Sequence, residues 1–145
     1  MVIDFYYKGN CLMGIRSDLE TNFDYEIVDE FLDHYSMMVE SMEVMIIDLT
    51  KPNMYKRSIN ELFRVFHNIK SASGYLQILP MNKLASFVED ALEDLRNNST
   101  SINQETVDWL LQISDMFAIW QDDLKQDSEL SKIKFSLLKT PDLDK

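Results

Sequence analysis

His67 and Lys70 stand three residues apart, Ser71 follows, and Gly74 comes seven residues after the histidine. On a helix such steps return to nearly the same face, so an imidazole, an ammonium and a bare stretch of backbone would meet solvent together. A neutral imidazole has one protonated nitrogen and one free lone pair, and a hydrogen bond to the first fixes the tautomer. The free nitrogen can attack a phosphoryl group and later surrender it. The phosphoramidate so formed needs positive charge near its oxygens, and Lys70 is one turn away. Residues 51–70 hold Lys51, Lys56, Arg57, Arg64 and Lys70 against Glu61, a local +4 in a chain of net charge −11. A basic island around one histidine suits both phosphate and an acidic docking pocket. The plainer reading is a solvated helix face whose charges serve solubility.

Other chemistry is poorly served. Two histidines and one cysteine show no zinc spacing, and there is no EF-hand loop, so no metal site is expected. No glycine-rich loop could cradle a nucleotide, so the chain is expected to lack its own ATP site and not to act as an autonomous enzyme. No Gly-x-Ser-x-Gly nucleophile motif is present. Cys11 is alone, which rules out an intrachain disulfide and fits a reducing cytoplasm. The acidic balance argues against nucleic acid as a partner. No run of 18 apolar residues suggests a membrane span, and Asp4 and Lys8 interrupt what would otherwise be a signal-like start. His34 has neither a lysine at three nor a glycine at seven, and it points off its helix's apolar stripe. It reads as a solvated surface residue.

The elements that must position His67 are helices. Ile59, Leu62, Phe63, Phe66, Ile69, Ser73 and Leu76 recur at three- and four-residue steps and predict an amphipathic helix from about Ser58 to Tyr75. A glycine inside a helix costs about 1 kcal/mol relative to alanine, so Gly74 marks a packing or functional need. It could also simply end the helix as a cap. Before it, Val28, Phe31, Tyr35, Met38, Met42, Met45 and Leu49 form a stripe that starts near Tyr25, with Asp24 as N-cap and Pro52 as its limit. The methionines of that stripe read as adaptable core filler.

After a tight connection through Gln77-Ile78-Leu79-Pro80, a third helix uses Met81, Leu84, Val88, Ala91 and Leu95, then gives way to the polar loop Asn97-Asn98-Ser99-Thr100. Asn103 caps a fourth, with Val107, Leu110, Ile113, Phe117, Trp120 and Leu124 as its stripe. Residues 128–138 suggest a short fifth helix. Val2 to Tyr7 could form a strand turned by Lys8-Gly9-Asn10, and an irregular arm is an equal alternative. Four helices with short loops and one apolar face each pack most economically as an all-α, antiparallel, up-down four-helix bundle. The expected organisation is an N-terminal arm over 1–24, a bundle over 25–138 and a tail over 139–145.

His67-Asn68-Ile69-Lys70-Ser71-Ala72-Ser73-Gly74 resembles the phosphoacceptor motif of histidine-containing phosphotransfer (HPt) domains. In those domains a lysine follows the histidine at three, then small residues, then a glycine at seven. Leu84 to Arg96 looks like the third helix of the variety found at the N-terminus of chemotaxis histidine kinases. The likeness covers roughly Tyr25 to Leu124, with two departures: Ser71 where glycine is common, and Gln77 where a further glycine is usual. The resemblance implies a four-helix bundle that accepts a phosphoryl group on His67 from a sensor histidine kinase or a phosphorylated receiver domain. It would pass that group to the aspartate of a response-regulator receiver, which supplies Mg²⁺. No cofactor of the chain's own is implied.

Glu89 completes the expected site. His67 lies eleven residues before Ile78, the centre of the helical connection, and Glu89 eleven after it, so an antiparallel hairpin brings them to one height. In the chemotaxis-kinase type the matching glutamate is hydrogen-bonded to the histidine ring. Glu89 is therefore expected to accept from the δ nitrogen and leave the ε nitrogen free, though a solvated carboxylate is the simpler alternative. Arg64, Ser71, Gly74 and Gln77 are the expected partner-docking residues. A bulky side chain at Gly74 should obstruct docking without loss of stability. A monomer is expected, and the initial Met with a polar C-terminal tail favours a free-standing protein. The competing reading is a bundle that regulates a kinase or receiver by docking alone, without phosphorylation. A purely structural bundle would leave the basic island and the mid-helix glycine unexplained.

Overall fold

The computed structural model describes residues 14–143, and the described chain is all-helical. α1 spans Ile15–Asn22, α2 Tyr25–Asp48, α3 Tyr55–Tyr75, α4 Leu79–Asn98 and α5 Gln104–Gln126, followed by a 3₁₀ turn at Phe135–Leu138. The closest approaches are those of α3 with α4, α2 with α5 and α2 with α3. α4 and α5 are bridged by larger side chains, with Phe87 set edge-on to Trp109 at 6.2 Å. The apolar stripes meet in one core, where Tyr35, Met42, Leu62, Phe66, Leu84, Val88, Leu110, Phe117 and Trp120 are all fully buried. Of the stripe methionines expected as core filler, Met42 is fully buried and Met38 and Met45 pack partly buried against the core, which Met81 and Met116 also fill. Tyr35 stays protonated there: burial, reinforced by Asp123, pushes its pKa well above the ordinary tyrosine value, and its hydroxyl donates to the Phe117 carbonyl.

Several boundaries differ from the sequence reading, each for a local reason. α3 starts at Tyr55 rather than Ser58, because Tyr55 is itself core, buried with its hydroxyl on the Leu95 carbonyl. α4 begins at Leu79 with Pro80 in its first turn, where a missing N–H costs nothing. Asp24 precedes α2 as expected but makes no side-chain cap bond, whereas the Asn103 side chain does accept from the Thr106 N–H. The proposed strand at Val2–Tyr7 lies outside the described residues. Within the supposed arm, Ile15–Asn22 is a helix, anchored by buried Ile15 and Leu19.

The short helix expected over 128–138 is replaced by an extended strap with a single 3₁₀ turn. Leu130, Ile133 and Leu137 have helical spacing and are buried, yet the strap's backbone bonds go elsewhere. The Trp120 indole donates to the Ser131 carbonyl, which a helix would have given to the Phe135 N–H, and the Trp109 indole holds the strap's far end at the Leu137 carbonyl. The strap thus runs back along α5 to reach Asn103, whose amide donates to the Asp142 carbonyl.

Where α1 docks on the end of α5, the backbones nearly touch. A Cβ at Gly14 would sit 1.7 Å from the Asp127 carbonyl oxygen, so only glycine fits. Asp127 ends α5 in a left-handed conformation and turns its carboxylate onto the first turn of α1, accepting from the Ser17 N–H at 2.9 Å and from its hydroxyl. It supplies the cap that Gly14, with no side chain, cannot.

Candidate functional site

α3 places His67 by burying its neighbours. Phe66 and Ile69 are fully buried, which leaves His67 between them with 54% of its side chain exposed. α4 answers from across the hairpin: Val88 and Leu92 are in the core, and Glu89 lies at their edge with only 8% of its side chain exposed. The His67 Nδ1 donates to Glu89 Oε2 at 2.5 Å. Lys70 Nζ donates to the other carboxylate oxygen at 2.7 Å. The height match inferred from the hairpin therefore corresponds to a direct bond, and the ring presents its Nε2 without a hydrogen-bond partner among the described residues.

The electrostatics follow from the geometry. Burial by itself would raise the Glu89 pKa, but bonds from Lys70 and His67 outweigh it and hold the carboxyl below its ordinary range. The same bond to Glu89, with its charge, raises the Lys70 ammonium above the usual lysine value. Glu89 is thus an anion with both oxygens occupied. Lys70, expected from the sequence to hold a phosphoryl group, has its ammonium on Glu89 while remaining 39% exposed.

Arg64, Ser71, Gly74 and Gln77 are exposed on or beyond the His67 face of α3. The helix does not end at Gly74. It runs to Tyr75, and the left-handed residue that closes it is Gln77, at φ 60°. The Ile78 N–H reaches back to the Ser73 carbonyl at 2.8 Å and the Gln77 N–H to that of Gly74 at 3.2 Å, a two-bond cap usually built on glycine. Gly74 has a packing reason as well. A Cβ there would lie 3.1 Å from the Asn82 amide nitrogen, which donates to the Lys70 carbonyl at 2.7 Å. A side chain at 74 would therefore need the Asn82 amide to give by a few tenths of an ångström, so Gly74 bears on the contact between α3 and α4 as well as on the exposed face.

The sequence reading missed three residues around the site. Asn82 ties the start of α4 to the middle of α3. The Phe63 ring lies nearly parallel to the imidazole, 13° between planes and 6.1 Å between centroids. The Arg96 guanidinium carbon sits 3.9 Å from the centre of that Phe63 ring. Phe63 was visible only as one more member of an apolar stripe, and nothing in the spacing pairs it with Arg96. His34 is exposed, as expected.

Among the described residues no group of three or more histidine, cysteine or acidic side chains is arranged to hold a metal, and no helix is long and apolar enough to cross a membrane. What the arrangement offers is one oriented, accessible imidazole nitrogen beside an ion pair.

Comparison with known proteins gives that geometry a context. The family model described as the Hpt domain matches residues 26–126. The chain is 27% identical over 124 residues to the chemotaxis protein CheA of Borreliella burgdorferi, a match covering 83% of this chain and 14% of that protein. It is 23% identical over 86 residues to CheA of Treponema pallidum, covering 59% and 11% respectively. With the sensor histidine kinase CheAY of Helicobacter pylori it shares 28% identity over 91 residues, covering 63% and 11%. The chain therefore spans about one-seventh or less of the length of these relatives.

Proposed function

We propose that this chain, which belongs to the Hpt domain family, carries phosphoryl groups on Nε2 of His67. Hpt domains are phosphoryl carriers, not kinases, and their place is the phosphorelay of two-component signalling. The observation that carries the assignment to His67 is its bond to Glu89: the Nδ1 proton is committed, so the lone pair resides on Nε2, in solvent.

In the forward step the Nε2 lone pair attacks phosphorus, the bond from phosphorus to the donor atom (oxygen of a phosphoaspartate, nitrogen of a phosphohistidine) breaks, and that atom leaves with the electron pair. The ring keeps its Nδ1 proton and becomes cationic, and the Glu89 carboxylate beside it stabilises that charge. Lys70, one turn on, moves from Glu89 to the incoming phosphoryl oxygens at little cost, because both sites are anionic and its ammonium is already partly solvated. Delivery reverses the sequence toward a receiver aspartate. The donor is a sensor histidine kinase or phosphorylated receiver and the acceptor a response-regulator receiver, whose Mg²⁺ neutralises the phosphoryl charge. Arg64, Ser71, Gly74 and Gln77 form the docking face, and the encounter takes place in the cytoplasm.

Incubation with a panel of phosphorylated kinases and receivers tests this reading. The chain should acquire an acid-labile, alkali-stable label and lose it to a receiver. A chain that binds such partners yet never becomes labelled would favour regulation by docking alone.

A further inference from the structure

We infer that Phe63, itself held by Arg96, is a positioning residue that sets the plane of the His67 imidazole and so aims its Nε2 lone pair. This rests on the reading of His67 as the phosphoryl acceptor and adds to it a second constraint besides Glu89. The bond from Nδ1 to Glu89 fixes one direction in the ring. The ring is tethered through Cβ, so that bond limits its rotation about Cβ–Cγ, but a single hydrogen bond tolerates tens of degrees of misalignment and the ring can still rock. The Nε2 lone pair lies in the ring plane, so rocking swings its direction. A stacked neighbour that holds the plane narrows that swing.

Phe63 provides that plane. It precedes His67 by one helical turn and lies in offset-stacked range, at 6.1 Å and 13°. Half-buried against the core, it cannot turn freely. The Arg96 guanidinium lies over the Phe63 ring at 3.9 Å, within cation–π range, and is itself held by Glu93 Oε1 at 2.7 Å. Arg96 follows Glu89 by seven residues, two turns along α4. α4 thus holds the imidazole twice, directly through Glu89 and indirectly through Arg96 and Phe63. In-line transfer from a docked partner demands such aim, because the phosphorus position is fixed by the interface. A small phosphoryl donor, free to approach from any side, does not.

That difference supplies the test, made on the full chain with Phe63→Leu, Phe63→Tyr and Arg96→Gln. Labelling is measured with the kinase domain that labels the unaltered chain fastest, and separately with phosphoramidate. Side-chain NMR follows the His67 ring carbons and their protons. Phe63→Leu should lower the kinase-driven rate about tenfold while changing the phosphoramidate rate less than twofold, and should shift and mobilise the His67 ring signals. Phe63→Tyr should restore both, and Arg96→Gln should give a smaller loss of the same kind. Should Phe63→Leu fail to fold, Arg96→Gln alone decides, since Arg96 lies at the surface edge of α4. Equal loss with both donors, or unmoved ring signals, would overturn the positioning role while leaving His67 as acceptor. If no donor labels the unaltered chain, the acceptor reading fails, and the NMR arm still reports whether Phe63 holds the ring.

Discussion

The chain's two histidines are both exposed, and they lie on helices that pack against each other. His34 on α2 and Asn68, the residue after His67 on α3, line the same surface groove. Their surroundings nevertheless differ in every respect that matters for chemistry. His67 gives its Nδ1 proton to a buried anion, lies beside an aromatic ring and has a lysine one turn away. His34 has none of these among the described residues. Exposure alone does not make an imidazole a nucleophile. A fixed tautomer, a fixed ring and a nearby cation do, and these come from α4 and from the α3 turns on either side.

Exchanging each histidine for glutamine gives the largest contrast. His67→Gln should abolish labelling by any phosphoryl donor, and His34→Gln should leave its extent unchanged. Acid-labile label that persists in His67→Gln would erase the distinction between them.

Glu89→Gln keeps the shape of the site and removes its charge, so it makes His67 more like His34. The neutral amide no longer stabilises the cationic phosphorylated ring, and labelling should slow by about one to two orders of magnitude. Stopped-time labelling measures this, with far-UV circular dichroism to show that the bundle persists. Wild-type speed in Glu89→Gln would reduce the bond to a packing detail.

The same anion should show in stability. Glu89 has a lowered pKa in the folded state, so its contribution is present above the ordinary carboxylate pKa and is lost as pH falls through the lower folded value. Lys70 has a raised one, so its contribution is complete below the ordinary lysine pKa and is lost as pH rises past it. The melting-temperature gap between the unaltered chain and Glu89→Gln should therefore be widest near neutrality and close in acid below the carboxylate range. A gap independent of pH would mean that Glu89 acts there without its charge.

Much of this contrast was legible in the sequence, and the reasons are physical. The stripes of four long helices were strong enough to set a bundle, and a hairpin with a short connection turns residue counting into height, which set Glu89 level with His67, while the bond between them was what the family resemblance implied. What stayed hidden depended on side chains meeting at short range. The Phe63–Arg96 stack joins residues on two helices with no spacing rule between them. Lys70 was read as a free cation because counting cannot show that Glu89 has two oxygens to share. The strap after α5 carries helical spacing, but two indoles from α5 claim its carbonyls. Gly74 invited a cap reading that belongs to Gln77, three residues later, because the last turn of α3 carries on past the glycine.

The smallest expected effect comes from that cap. Gln77 holds a left-handed backbone that glycine adopts without cost, so Gln77→Gly should raise stability by about 0.5–1 kcal/mol. Thermal melts should show a rise of about 2–3 °C. Because Gln77 is exposed and outside the His67–Glu89–Lys70 cluster, labelling of His67 by a small donor such as phosphoramidate, which needs no docking face, should not change. A loss of stability would show that the Gln77 side chain makes contacts worth more than the strain.

The central claim is that Glu89 reserves one nitrogen of one histidine for phosphate. NMR of the uniformly ¹⁵N-labelled chain, phosphorylated by its best donor, tests it directly by locating the phosphorus–nitrogen coupling. The account predicts a single coupling, to Nε2 of His67, with Nδ1 still protonated and bonded to Glu89. Coupling to Nδ1 of His67, or to either nitrogen of His34, would contradict it.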